Sequence, residues 1–244
     1  MSRYVGSKWR KTAAIRKSAP LAQYVPDTLK MTGASLLDRL NQYGMVYIKP
    51  DLGMYGNGVM RVERRGDVYS YQVGNKRRDF ARYSDLYRSI KRRTGSRRYL
   101  VQKGIHLLKY GGRRFDLRVM VQWSPSRTWE TTGIIGRVAA KNKIVTNYHS
   151  GGKIVAADAL LRAHTDQPAS KLQALSRLGA QAGAAMQQAF PGVYVIGLDV
   201  AMDKSMHPWI LEVNTRPDPY IFKKHPDRKV FRKIMRYAKA YAKK

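Results

Sequence analysis

Cysteine is absent from the 244 residues. That removes disulfides, thiolate zinc sites and cysteine nucleophiles, and it fits a reducing compartment. No run of about 18 apolar residues occurs, so no transmembrane segment is expected. The opening MSRYVGSKWRKTAAIRKSAP also lacks the apolar centre of a secretory signal. The expectation is a cytoplasmic protein. Acidic side chains are scarce: 16 Asp and Glu face 47 Lys and Arg, a formal net charge of +31.

With 43% hydrophobic residues, the chain can bury a core as one large or two small domains. Its charge attracts polyanions, so the expected partners are an acidic peptide or protein, nucleic acid or another anionic polymer. The same excess of Lys and Arg also serves solubility.

Leu36, Leu37 and Leu40 recur at helical spacing within 34–43, ahead of Gly44 as a C-cap. Extended runs follow at 46–50 and 59–73, the second broken by a turn at Arg65-Gly66-Asp67. Residues 76–98 hold ten Lys and Arg, while Phe80, Tyr83, Leu86, Tyr87 and Ile90 recur at three and four. This predicts one helix with a buried face, either solvated on its basic side or forming a basic wall beside an active site. Strands are expected at 99–102, 115–123 and about 130–140, with paired strands at 193–202 and 208–214. An amphipathic helix spans 169–190, a helix-compatible patch covers 8–17, and 221–244 reads as a basic amphipathic helix.

In YIKPDLGMYGNGVMRV, Lys49 precedes Gly53, Gly56 and Gly58. Glycine lets backbone N–H groups turn toward phosphate oxygens, and lysine adds a point charge. A Rossmann or Walker loop would lead into a helix, whereas Val59 to Val62 looks extended. A protein kinase places its lysine after the loop instead. The pattern fits a hairpin closing over phosphates, and it also fits an ordinary turn.

In IGLDVAMDKSMHPWILEVNTRPD, a turn near Ser205-Met206 sets Asp199 opposite Glu212, with Asn214 on the same face. Two carboxylates among apolar neighbours repel each other, and a hard cation would resolve that; Mg²⁺ suits such a set and completes its shell with phosphate and water. The bland alternative is a solvent-facing polar edge. Arg118 in FDLRVMVQ and Arg137 in GIIGRVAA sit on apolar strands, where a guanidinium needs an anion. That anion is either a structural carboxylate such as Asp116 or a phosphoryl group in transfer.

Lysine strand, glycine hairpin, Gln-bearing strand, FDLR, GR, TN with a later GG, GxD and ExN follow in this order over roughly residues 8–218. The series resembles the ATP-grasp superfamily, and most of all its endospore coat-associated YheC/YheD-type group. Ribosomal-protein glutamate ligases and glutathione synthetases are similar at greater distance. The resemblance implies an α+β ATP-grasp fold whose two α+β subdomains clamp ATP, without the family's usual N-terminal domain. Residues 1–44 would form a basic entry segment and helix, 45–100 a glycine-hairpin lid, 101–220 the metal-binding subdomain and 221–244 a basic helix.

By the same resemblance, Lys49 contacts the α and β phosphates, and Gly53, Gly56 and Gly58 cover the phosphate tail. Gln102, Lys103 and Ile105 meet adenine, although many relatives carry an acid where Gln102 stands. Arg118 and Arg137 are the catalytic pair that holds the γ-phosphate and an acyl-phosphate. Asn147, Gly151 and Gly152 shape the acceptor side, while Asp199, Glu212 and Asn214 bind Mg²⁺. A further ATP-binding lysine is Lys8 or Lys11. The implied activity is ATP-dependent carboxylate-amine ligation onto an acidic peptide, protein or other polyanion, in the cytoplasm or associated with spores. The alternatives are a phosphotransferase and a non-catalytic coat or nucleic-acid-associated binding protein.

Overall fold

The computed structural model describes residues 2–54, 56–146 and 151–242. Strands β1 (Thr28–Lys30), β2 (Met45–Pro50), β3 (Met60–Arg65), β4 (Val68–Val73), β5 (Lys76–Phe80) and β6 (Tyr99–Lys103) form one antiparallel sheet, in the order β1-β6-β2-β3-β4-β5. Alternation along β2 sends Val46 and Ile48 into a core with Leu36 and Leu40 of helix α3 (Gly33–Tyr43) and Leu86 and Ile90 of α4 (Tyr83–Thr94). Tyr47 and Lys49 are left on the opposite face. In β6, Val101 joins that core and Gln102 emerges beside Tyr47, its partner in register.

The expected helix over 76–98 is corrected. Residues 76–80 instead form β5, folded back on β4 through a turn in which Gly74 takes φ +57°. Helix α4 starts only at Tyr83. Cross-strand pairs such as Tyr69 with Phe80 decide the matter, because pairing outweighs weak local propensity.

The second sheet contains β8 (Arg113–Trp123), β9 (Trp129–Val138), β10 (Lys153–Ala156), β11 (Val195–Met202) and β12 (Pro208–Asn214), in the order β10-β9-β8-β11-β12. The two-residue strand β7 (Lys109–Tyr110) pairs with β8. Along β8, Phe115, Leu117, Val119 and Val121 enter the main core with Leu175, Leu178 and Met186 of α6 (Pro168–Ala189). Helices α1 (Lys8–Lys17), α2 (Ala19–Ala22) and α5 (Ala157–Arg162) add Ile15, Leu21, Leu160 and Leu161 to it. Each such side chain contributes roughly 1.5–3 kcal/mol by leaving water.

The other face of β8 carries Arg114, Asp116, Arg118, Met120 and Gln122. Its far half is covered by α7 (Arg228–Ala242): Met120 packs with Ile234, and Gln122 donates to the Ile234 carbonyl at 3.1 Å and to the Tyr241 hydroxyl at 2.9 Å. Its near half carries charge toward the first sheet. The continuous tail helix expected over 221–244 is split, with a short 3₁₀ turn at Tyr220–Lys224 and α7 beginning after Pro226. Proline disfavours helical backbone in the residue before it, which accounts for the break. Among the described residues, no helix is long and apolar enough to cross a membrane.

Candidate functional site

The start of α1 is pinned beside the glycine loop. Ser7 caps the helix through Arg10 N–H at 3.2 Å and donates its hydroxyl to Asp51 Oδ1 at 2.8 Å; Trp9 N–H meets the same oxygen at 2.9 Å. Two residues fixed at one carboxylate, on either side of Lys8, leave it little choice of direction. Its Nζ donates to the Gly53 carbonyl at 2.7 Å and lies 3.4 Å from Glu212 Oε1. Lys11, also buried, borders a smaller space with Lys49 and Glu212. Of the two candidates, Lys8 is the one at the loop. Burial lowers the Lys11 pKa despite the opposing pull of Glu212.

The loop itself runs from Asp51 to β3. Gly53, Gly56 and Gly58 take φ of +146°, +74° and +77°, which side chains other than glycine rarely adopt. A methyl group at Gly58 would also sit 2.8 Å from the Tyr99 hydroxyl.

Lys49 reaches from β2 toward the second sheet. Its Nζ donates to Gln102 Oε1 at 2.6 Å and to the Leu211 carbonyl at 3.1 Å. That carbonyl is free of the ladder because β11 and β12 slip there: Asp199 pairs with Glu212, but Val200 pairs with Ile210. Withdrawal from water lowers the Lys49 pKa to about 8, with Glu212 resisting the fall. The Gln102 amide is used at both ends, since its Nε2 donates to Thr28 Oγ1 at 3.1 Å. The expected contact of its side chain with adenine would therefore have to compete with Lys49.

The register brings the remaining charges together. Asp199 lies beside Arg118 on one flank and Glu212 on the other, and Asp116 lies beside Arg137. Arg118 Nε donates to Asp199 Oδ1 at 2.7 Å, Arg137 Nη2 lies 3.0 Å from Asp199 Oδ2, and Arg137 Nε donates to Asp116 Oδ1 at 2.8 Å. Burial alone would raise the Asp199 carboxyl; the two guanidiniums outweigh it and hold it at about 2. The two carboxylates are thus not bare neighbours: Arg118 and Arg137 already balance Asp199 without a divalent cation. The arginines pair with structural carboxylates, and they also border a cavity.

Two adjoining cavities occupy the space between the sheets. The first is walled by Tyr47, Val59, Ile105, Leu107, Ile144 and Leu211, with Lys49, Gln102 and Lys103 at its edge. The second, of about 420 Å³, is lined by Lys8, Gly53, Arg118, Asn214, Arg216 and Asp218 among others. Gly56, Val59, Arg137, Asp199 and Glu212 border both. An apolar chamber thus opens into a charged one. Lys8, Lys49, Lys103, Arg118, Arg137 and Arg216 face four carboxylates, those of Asp116, Asp199, Glu212 and Asp218, and this leaves a positive surplus for an anionic guest.

Gly58 lines neither cavity and shapes the loop's return into β3. Gly151 and Gly152 also line neither; they lead into β10, which pairs with β9 at Arg137. Asn147 lies outside the described residues. Ile105 stands in the apolar wall, whereas Arg216 and the other wall residues, Tyr47, Val59, Leu107, Ile144 and Leu211, are not among the residues the sequence singles out. Alternation along β2 signals Tyr47, but the bulge at Leu211 breaks that of β12, and Arg216 follows Asn214 in an irregular segment without a period to read.

For a metal, Asp199, Glu212 and Asn214 offer the all-oxygen donors that a hard cation takes, and all three border the charged cavity. Among the described residues, no three His, Cys, Asp or Glu side chains gather as a metal cluster. The residues present therefore fit a cation that draws its remaining oxygens from a bound phosphate.

A model of the family described as YheC/D like ATP-grasp matches residues 1–244. The chain is 27% identical over 233 residues to the endospore coat-associated protein YheD of Bacillus subtilis, covering 91% of this chain and 50% of YheD. It spans about half to three fifths of the length of the curated relatives it matches. It superposes on D-cycloserine synthetase DcsG with a TM-score of 0.59 at 14% identity, covering 96% of this chain and 70% of that one. A second solved structure is N5-carboxyaminoimidazole synthase from Aspergillus clavatus in complex with ADP and 5-aminoimidazole ribonucleotide. It gives a TM-score of 0.56 at 13% identity, covering 88% of this chain and 46% of that one.

Proposed function

The chain belongs to the YheC/D-like ATP-grasp family, and on that premise we propose that it is an ATP-dependent carboxylate-amine ligase acting on an acidic peptide, protein or other polyanionic acceptor. The observation that carries this reading is the apolar chamber that opens into a cation-rich cavity under a glycine loop.

The adenine ring occupies the chamber of Tyr47, Ile105, Ile144 and Leu211, with the backbone at Lys103 to Ile105 along its edge. Lys49 meets the α and β phosphates, and Lys8, held to the loop at Gly53, meets the phosphate tail as Gly53 and Gly56 fold over it. Arg118 and Arg137 stand at the far end. A carboxylate oxygen of the acceptor attacks the γ-phosphorus, the bond to the β-phosphate oxygen breaks, and ADP leaves with that electron pair. The two guanidiniums neutralise the charge on the transferring group and then on the acyl-phosphate. An amine attacks the acyl carbon, phosphate departs, and the amine's proton is lost as the amide forms.

Closing the loop keeps water from reaching the acyl-phosphate before the amine does. Asp199, Glu212 and Asn214 would hold Mg²⁺, which supplies charge neutralisation at the phosphates when bound. Gly151 and Gly152, leading into the strand beside Arg137, and Asn147 would shape the acceptor side. The surplus of cations around the second cavity supports an anionic acceptor.

The test is ADP release by the purified chain with candidate acidic peptides and amines, alongside direct ATP binding. Turnover that disappears in Glu212→Gln is the expected outcome. If ATP fails to bind, or if Glu212→Gln turns over as fast as the native chain, the ligase reading is wrong.

A further inference from the structure

Among the described residues, a third hollow, of about 560 Å³, shares no lining residue with the nucleotide cavities. Its walls are the β7–β8 turn and residues 139–143 after β9. Lys109, Arg113, Arg114, Lys141 and Lys143 line it, and among the described residues no carboxylate does. Among the described residues, none of these five side chains forms an ion pair or a hydrogen bond. Arg113, Arg114 and Lys143 are half-buried as well, so their charges are partly stripped of water without an anion in return.

The positive surface extends beyond the hollow. Gln72 Nε2 on β4 donates to the Asn142 carbonyl at 3.0 Å, which seats the β4–β5 turn on the wall of the hollow. Lys76 and Arg78 then continue along β5, the exposed edge strand. Tyr110, directly opposite Arg113 in register, leaves 38% of its surface open to solvent.

We propose that this hollow and its rim bind single-stranded nucleic acid, with phosphates on Arg113, Arg114, Lys141 and Lys143 and a base stacked on Tyr110. Unpaired cations strung along a groove match singly charged groups spaced along a polymer, and an exposed ring beside them matches a base. An acidic polypeptide would use the cations and leave the ring idle. An anionic bilayer is flat and cannot follow a concave wall.

The test uses the whole chain, a fluorescein-labelled 12-nucleotide RNA and anisotropy titrations over a range of salt. The variant R113S/K141S/K143S is compared with K229S/R232S/R236S, which removes the same charge from the exposed face of α7. The first should lose about 2 from the slope of log affinity against log salt, since each phosphate contact contributes about 0.7 on single strands. The second should leave that slope unchanged. Tyr110→Ala should weaken binding by about 5-fold to 150-fold at constant salt slope. Lys141→Ser alone, at an exposed position, should remove about 0.7 and serves if the triple variant fails to fold. Equal loss in both triple variants, a Tyr110→Ala chain that binds as the native one does, or polyglutamate displacing the RNA at lower charge concentration than unlabelled RNA would each overturn the proposal. So would absence of RNA binding.

Discussion

Raising the pH should switch off one phosphate contact at a defined point. The Lys49 ammonium, withdrawn from water between the sheets, titrates at about 8 where an ordinary lysine titrates near 10.5. At pH 7 about one Lys49 in eleven is neutral, and at pH 9 about ten in eleven. A phosphate set against it restores the charge, so apparent affinity for ATP falls by the neutral fraction: hardly at all at pH 7, about tenfold at pH 9. The nucleotide adds no slope of its own there, because a phosphate's last ionisation lies near 6.

Calorimetry between pH 7 and 9.5 should show this drop together with proton uptake on binding, about half a proton at pH 8. Lys49→Arg, which keeps its charge throughout, should bind with a flat profile. In the absence of nucleotide the sign is opposite. The folded state binds fewer protons than the unfolded state between pH 8 and 10.5, so Lys49 makes stability rise with pH across that window, and Lys49→Met should remove that rise. Matching affinity profiles for the native chain and Lys49→Arg would refute the assignment of Lys49 to the phosphates.

Two other substitutions test the frame around the site. Arg137→Met strips Asp116, which is 2% exposed, of its guanidinium partner, and should cost about 3–5 kcal/mol or roughly 6–20 °C in Tm; a loss under about 1 kcal/mol in urea would show that the pair is not structurally important. Gly58→Ala and Gly66→Ala both force alanine into left-handed backbone, but only the first also crowds a neighbour, the Tyr99 hydroxyl. Gly66→Ala should cost about 1–2 kcal/mol and Gly58→Ala more, by denaturant midpoint; equal losses would mean that Tyr99 gives way freely.

The parts of this site legible in the sequence are those set by short-range rules. The β11–β12 hairpin was readable because two strand-like runs flank Asp203 to Met206; the bulge at Leu211, which turns Glu212 away from the core side taken by Ile210, was not. Asp203 does organise that turn, accepting from Ser205 N–H at 2.9 Å and His207 N–H at 3.0 Å. The α1 patch and the α3 stop at Gly44 were readable for the same reason. What stayed hidden depends on distant neighbours. Phe80, Tyr83 and Leu86 fit a helix and also fit a strand end followed by a helix, and only pairing with β4 separates the two. Three-residue β1 exists because β6 lies beside it, as Thr28 with Gln102. The pairing of Arg118 with Asp199 needs the β8–β11 register, which residues 81 apart in sequence do not announce. Lys8 was separated from Lys11 only by the anchoring of Ser7 and Trp9 on Asp51.

The same ion pairs govern how a divalent cation should enter. Each oxygen of Asp199 already faces a guanidinium, and Glu212 has Lys8 at 3.4 Å, so magnesium alone would have to displace bonded cations to reach either carboxylate. The first exchange loses a charge-assisted hydrogen bond and the second an ion pair, and the oxygens left for the ion are too few for its octahedron. A bound triphosphate changes the balance, because it brings oxygens of its own and gives Arg118, Arg137 and Lys8 an alternative anion. Magnesium and nucleotide should therefore bind with positive coupling. Millimolar Mg²⁺ by itself should leave Tm within about 1 °C, ATP alone should raise it modestly, and the two together should raise it by more than the sum. The Asp199→Asn variant should lose the extra part while keeping the effect of ATP alone. A substantial rise in Tm with Mg²⁺ alone would mean that the arginines release Asp199 without help, and that the charge balance described for the ligand-free protein is wrong.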